Sequence, residues 1–120
     1  MLAHQKLRAW ELCHELAIAI YRSTESWPNR ELYGLTSQLR RAAVSAAANL
    51  VEGAASHGRA EFARFASISE GSLAEIAYLL TLAKDLALLQ AEDYEELENL
   101  RKRAGGLTWR LVLGLRRRQE

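Results

Sequence analysis

The stretch that decides the fold is QLRRAAVSAAANLVEG, residues Gln38 to Gly53, because it predicts one helix with two apolar faces. At 3.6 residues per turn, one face carries Leu39, Ala43, Ala46 and Leu50. The second face lies roughly 100–140° away around the helix and carries Val44, Ala47 and Val51. A surface helix needs a single apolar face, so this helix is either deeply buried or in contact with something beyond its own bundle.

Helical periodicity on both sides of this stretch predicts three further helices. Pro28, Gly34 and Gly58 mark the junctions between the first three. The expected bounds are about Leu7 to Ser26, Leu35 or Thr36 to just before Gly58, Arg59 to Leu89, and Asp93 to Arg117. The fourth helix is expected to be continuous through Gly105 and Gly106, with a kink left open, although each glycine costs roughly 1 kcal/mol relative to alanine.

Four helices with short connections are typical of an all-α fold, an antiparallel up-down four-helix bundle. The chain has 120 residues, of which 49% are hydrophobic and 26% are charged, as in ordinary globular proteins. Without an internal repeat or a linker-like segment, we expect a single domain over residues 1–120.

The sequence also indicates a cellular compartment. Cys13 is the sole cysteine, so an internal disulfide is impossible and a reducing compartment is expected. No apolar run approaches the roughly 20 residues that span a bilayer, and the first residues lack the pattern of a secretory signal. We therefore expect a cytoplasmic protein with no membrane partner.

The C-terminal half of the fourth helix is the candidate nucleic-acid-binding surface, although the net charge of the chain is only +1. It contains seven cationic residues and no acidic one: Arg101, Lys102, Arg103, Arg110, Arg116, Arg117 and Arg118. Such a cluster neutralises phosphates, and Trp109 offers a surface on which a base can stack. The alternative is a solvated helix face whose last arginines compensate the helix dipole.

A second polar group is predicted between the second and third helices, where five side chains form a partly buried hydrogen-bonded network: Arg41, Ser45, Glu52, Ser72 and Glu75. Arg41 and Glu52 lie roughly 16 Å apart along the helix axis and so need partners elsewhere. The network sets the register of the bundle or of a subunit contact, or it forms part of a ligand site. Gly71 is expected to permit close helix pairing or a local bend.

Catalytic and metal-binding patterns are weak. Glu11 and His14 form one Glu-x-x-His spacing, whereas a di-iron four-helix site needs two such motifs and two further glutamates. Ser56 and His57 are neighbours without a nucleophile-elbow pattern. We therefore expect neither a metal, nor a cofactor, nor an enzymatic activity.

A set of residues spread over nearly the whole chain matches the pattern of a known family: the segment Trp10 to Tyr21 and Pro28, Glu31, Tyr33, Gly34, Leu35, Gln38, Arg40, Arg41, Ala42, Ser45, Asn49, Glu52, Gly53, Glu61, Phe62, Phe65, Gly71, Ser72, Leu73 and Glu75. In these residues the chain resembles the four-helix-bundle proteins encoded within 23S rRNA intervening sequences, a family that is related to the accessory variability proteins of diversity-generating retroelements. It implies a non-catalytic homopentamer that binds RNA or DNA, and a reverse transcriptase or another protein as a further partner. Ala46-Ala47 and Gly105-Gly106 depart from the family pattern.

The second apolar face of the second helix fits such an assembly. We expect Val44 and Val51, together with Ile18 of the first helix, to form an oligomer interface, the alternative being that they belong to the core. The predicted function is that of a non-enzymatic, self-associating, nucleic-acid-binding accessory protein. The alternative is a protein-binding adaptor or scaffold with no nucleic-acid role.

Overall fold

The computed structural model describes residues 1–117, which form four α-helices. They are α1 (Arg8–Thr24), α2 (Ser37–Ala55), α3 (Arg59–Asp85) and α4 (Ala91–Arg117). Helix α1 packs against α2 and α4, and α3 packs against the same two helices, which closes the bundle. The predicted all-α, up-down four-helix bundle is therefore confirmed, and α4 runs unbroken through Gly105 and Gly106 as expected. Within residues 1–117, no helix combines the length and hydropathy that a membrane span requires.

The core is built from leucine, isoleucine and alanine on the inner faces of all four helices. Its fully enclosed members include Leu16, Ile20, Leu39, Leu50, Ile76 and Leu80. Alanines at the helix contacts shorten the distance between neighbouring axes, and Ser69 Oγ of α3 donates a 2.6 Å hydrogen bond to the Ala46 carbonyl of α2. The alanine-rich face of the Gln38–Gly53 stretch thus brings α2 into close contact with α3.

The glycine that permits the close approach of α2 and α3 is Gly53. A Cβ atom at Gly53 would lie 2.8 Å from Phe62 Cδ1 and 3.0 Å from Phe65 Cβ. A Cβ atom at Gly71 would meet no atom within 4 Å. The prediction that Gly71 permits close helix pairing is therefore wrong for the bundle itself, and Gly53 has this role.

Helix α3 ends at Asp85, before the predicted Leu89, because the backbone reverses at Ala87. Ala87 has a φ of 62°. Its N–H donates to the Lys84 carbonyl at 3.0 Å, and the Leu88 N–H donates to the Ala83 carbonyl at 2.9 Å. This is the Schellman arrangement, in which the left-handed residue is usually glycine. The sequence offers no glycine here, so the helix end could not be read from residue type.

The connection between α1 and α2 contains two short turns. Pro28 precedes a 3-10 turn over Asn29–Glu31. A wider turn over Leu32–Thr36 follows, in which Gly34 departs from helical geometry with φ −110° and ψ −112°. The connection ends where α2 begins, and it places α2 antiparallel beside α1.

Candidate functional site

The basic half of α4 lies on the outer surface of the bundle. Lys102, Arg103, Arg110, Arg116 and Arg117 are exposed, and 54% of Trp109 is exposed. Arg118, the remaining predicted member, lies outside the described residues. The face of α4 that points away from the core therefore carries cations and one aromatic ring.

The structure places these cations on different sides of α4. Lys102, Arg103 and Arg110 line a groove between α1 and α4, together with Arg8, the first residue of α1. The groove has a volume of about 360 Å³, and its other lining residues are Leu12, Gly106 and Leu107. We call it the α1–α4 groove. Four cationic side chains from two helices converge on it.

Arg101 and Arg116 point toward α3. The Arg101 guanidinium forms an ion pair with Glu98, and this hydrogen-bonded carboxylate raises the pKa of Arg101. Arg116 Nη2 donates a 2.8 Å hydrogen bond to Ser67 Oγ, beside Arg64. These two predicted residues therefore lie apart from the α1–α4 groove, and both already have a partner within the chain.

Arg8 was missed by the sequence analysis, although a signal was present. In an up-down bundle the first and last helices are antiparallel neighbours, so the start of α1 lies beside the end of α4. Arg8 Nη1 lies 2.6 Å from Glu11 Oε2, in an ion pair in which both side chains are about half exposed. Such exposed pairs are weak, at about 0–1 kcal/mol, so Arg8 can exchange Glu11 for another anion.

A second surface feature is an apolar groove between α1 and α2, which we call the α1–α2 groove. Its volume is about 490 Å³ and its lining residues are His14, Ala17, Ile18, Tyr21, Arg22, Val44, Ala47 and Ala48. Ile18 is 38% exposed and Val44 is 47% exposed, so neither is enclosed by the core. Val51 is partly buried and does not line the groove. The structure thus brings together two of the three residues predicted to form an oligomer interface.

Only part of the predicted polar network lies between α2 and α3. The Ser45 and Ser72 hydroxyls are hydrogen bonded at 2.8 Å. Glu75 accepts a 3.5 Å hydrogen bond from Gln38. Arg41 and Glu52 are exposed instead of joining these contacts. The α2–α3 contact is therefore held by neutral hydroxyls at its centre, with charged groups at its edges.

Cys13 belongs to a buried polar cluster where α1, α3 and α4 meet. The Thr108 and Ser69 hydroxyls near its thiol favour the thiolate, but burial dominates and raises the pKa of Cys13 to about 11. Only the thiolate is a strong nucleophile, so this cysteine is unreactive at neutral pH. We therefore interpret this cluster as part of the helix packing and not as a reactive site.

The Glu-x-x-His motif of α1 is divided between two other contacts. Glu11 pairs with Arg8, and the His14 ring stacks on the Trp10 ring at a centroid distance of 5.0 Å. Among residues 1–117, no group of three or more His, Cys, Asp or Glu side chains is arranged to hold a metal ion.

Comparison with known proteins agrees with this architecture. A crystal structure of a protein of unknown function from the S23 ribosomal protein family of Bacteroides thetaiotaomicron VPI-5482 superposes with a TM-score of 0.80. The two chains share 22% identity over 87% of this chain and 94% of that one, which shows a common fold. No match was found among curated proteins. The family model of 23S rRNA-intervening sequence proteins matches residues 5–108, and the chain therefore belongs to that family.

Proposed function

We propose that this protein is a non-enzymatic accessory protein that self-associates and binds RNA or DNA through the outer face of α4. The observation that carries the proposal is the division of charge along α4. Its first turns contain Glu92, Asp93, Glu95, Glu96 and Glu98, whereas the helix from Asn99 to Arg117 has no acidic residue and six cationic ones. A molecule with a net charge of +1 thus concentrates positive charge on the C-terminal part of one helix.

We favour RNA over other polyanions because the family to which the chain belongs takes its name from an intervening sequence of 23S rRNA. The fold relative from Bacteroides thetaiotaomicron is likewise assigned to a ribosomal protein family. Trp109 supports a contact with single strands, because an exposed indole stacks on bases of any sequence. The same proposal includes a relation to the accessory variability proteins and a reverse transcriptase as a protein partner.

Self-association is supported by the α1–α2 groove. Ile18 of α1 and Val44 of α2 leave apolar surface exposed in the isolated chain, on helix faces that the bundle itself does not cover. Covering such a patch with a second copy removes it from water, at roughly 25 cal/mol for each Å² buried. A ring of five copies, which the family resemblance implies, repeats the basic face of α4 on every subunit.

The direct test is the salt dependence of binding to a labelled single-stranded oligouridine RNA. Phosphate neutralisation predicts that log Kobs falls linearly with log salt, by about 0.7 for each phosphate contacted on a single strand. Binding that is absent at low salt, or that does not weaken between low and moderate salt, would contradict the proposal.

An adaptor function with no nucleic-acid role is the second candidate, and the apolar lining of the α1–α2 groove favours it. The two candidates separate under charge reversal on α4. Arg103→Glu with Arg110→Glu, two exposed cations of the α1–α4 groove, should abolish nucleic-acid binding and leave self-association intact. An adaptor function is supported if neither the wild type nor the charge-reversed variant binds nucleic acid while the α1–α2 groove binds a defined protein.

A further inference from the structure

We infer that the α1–α4 groove, completed by Arg8, is the site that binds the sugar-phosphate backbone. The inference rests on the proposed nucleic-acid-binding function and names the residues that carry it. It adds a residue from α1 and sets aside several of the C-terminal arginines of α4.

Cationic side chains of two helices converge on the α1–α4 groove. Lys102, Arg103 and Arg110 share one groove with Arg8, across the contact between α1 and α4. Lys102 and Arg110 are eight residues apart on one helix, which corresponds to about 12 Å along its axis. This length is several times the roughly 3.4 Å of axis that separates successive phosphates on one strand of a duplex, so the groove is long enough to contact more than one phosphate.

The groove cations are accessible to an incoming phosphate. Among the described residues the ion pairs are Arg8–Glu11, Arg64–Glu61 and Arg101–Glu98, so Lys102, Arg103 and Arg110 are in none of them. The one pair in the groove, Arg8–Glu11, is exposed and therefore weak. An incoming phosphate does not have to displace a buried partner to reach these four cations.

A second cationic groove lies between α3 and the end of α4. Its two arginines are Arg64 and Arg116. Arg64 pairs with Glu61 at 2.5 Å, and Arg116 is hydrogen bonded to Ser67. Arg116 also lies in the last turn of α4, where the negative pole of the helix dipole offsets part of its charge. The α1–α4 groove therefore has the higher density of available positive charge.

The floor of the α1–α4 groove also permits close approach. Gly106 lies on the floor, and a Cβ atom there would meet no atom within 4 Å, so the site is open above the backbone. A phosphate can consequently come close to α4 between the cationic side chains. A bulkier residue at Gly106 would occupy that space.

The test uses fluorescence anisotropy of the full-length protein with a labelled oligouridine RNA and with the matching oligodeoxythymidine. Arg8→Ala and Arg110→Ala each remove one groove cation, and Arg64→Ala is the matched control outside the groove. One phosphate contact fewer lowers the salt slope by about 0.7, which at 0.1 M salt is about a fivefold loss of affinity. We expect this loss for both groove variants with both probes, and no change for Arg64→Ala.

A gain-of-binding variant guards against misfolding as the cause of a loss. Within residues 1–117, Glu11 is the carboxylate that pairs with a groove cation, so we expect Glu11→Gln to bind both probes more tightly than wild type. Steep salt dependence in wild type together with unchanged affinity in Arg8→Ala and Arg110→Ala would overturn the groove assignment and leave the proposed function standing. Losses confined to one probe would overturn recognition of the shared backbone. No binding by wild type at low salt would instead overturn the proposed function itself.

Discussion

Replacement of Gly53 by alanine tests the helix contact on which the bundle depends. The new methyl group would lie 2.8 Å from Phe62 Cδ1 and 3.0 Å from Phe65 Cβ. The Phe62 ring can rotate away, but Phe65 Cβ is fixed to the α3 backbone, so α3 itself has to move. Gly71→Ala is the matched control, since its methyl group would meet nothing within 4 Å.

The expected magnitude follows from two terms. Alanine is favoured over glycine inside a helix by up to about 1 kcal/mol, and this term is shared by the two variants. Overpacking costs typically about 1–3 kcal/mol and applies only to Gly53→Ala. We therefore expect Gly71→Ala to raise the free energy of unfolding by up to about 1 kcal/mol. The Gly53→Ala variant should lie about 1–3 kcal/mol below it.

The assay is equilibrium urea denaturation of wild type and both variants at one protein concentration, with the m-value required to stay constant. Circular dichroism of the folded variants checks that helix content is unchanged. If Gly53→Ala proved as stable as Gly71→Ala, the close contact between α2 and α3 at this position would not exist.

Four further changes have defined outcomes. Because the pKa of Cys13 is raised from 9.0 to about 11, the folded state keeps a proton that the unfolded chain loses. Between pH 9 and pH 11, urea denaturation of wild type should therefore show a loss of up to about 3 kcal/mol beyond that of Cys13→Ala. Ala87→Gly should stabilise the fold by about 1 kcal/mol in thermal melts, since it relieves a left-handed alanine. Val44→Glu should dissociate the assembly in light scattering, whereas the exposed-site control Thr81→Glu should not. Trp109→Ala should weaken oligouridine binding in anisotropy by about 1–3 kcal/mol for each base that stacks.

Each of these has an outcome that contradicts it. Parallel pH profiles for wild type and Cys13→Ala would mean that the thiol is not desolvated. A destabilised Ala87→Gly variant would exclude strain at the end of α3. An assembly that survives Val44→Glu would remove the α1–α2 groove from the interface, and unchanged RNA affinity in Trp109→Ala would remove base stacking from the site.

The fold could be predicted from the sequence because periodicity and helix-breaking residues agreed with each other. Pro28 and Gly58 stand at real helix boundaries, and the two apolar faces of α2 correspond to a buried face and an exposed groove wall. The end of α3 could not be predicted, since Ala87 adopts a conformation that its side chain disfavours. Ala87 itself is exposed, and the chain reversal there is accompanied by two backbone hydrogen bonds and by the burial of Leu89.

The candidate sites were predictable in composition but not in geometry. A one-dimensional count of cations on α4 grouped Arg101, Arg110 and Arg116, although these three residues line three different grooves. Arg8 was invisible to that count because it is far away in sequence and joins the site only when α1 packs against α4. The close contact at Gly53 was likewise hidden, since it depends on where the Phe62 ring lies in α3.

Native mass spectrometry of the wild-type protein, recorded with and without oligouridine RNA at low salt, tests the central claim most directly. The account predicts an assembly whose mass is a multiple of the 13.5 kDa chain, five copies by family resemblance, and a second series in which the same assembly carries RNA. A 13.5 kDa species alone at high micromolar concentration, with no RNA-bound form, would contradict it.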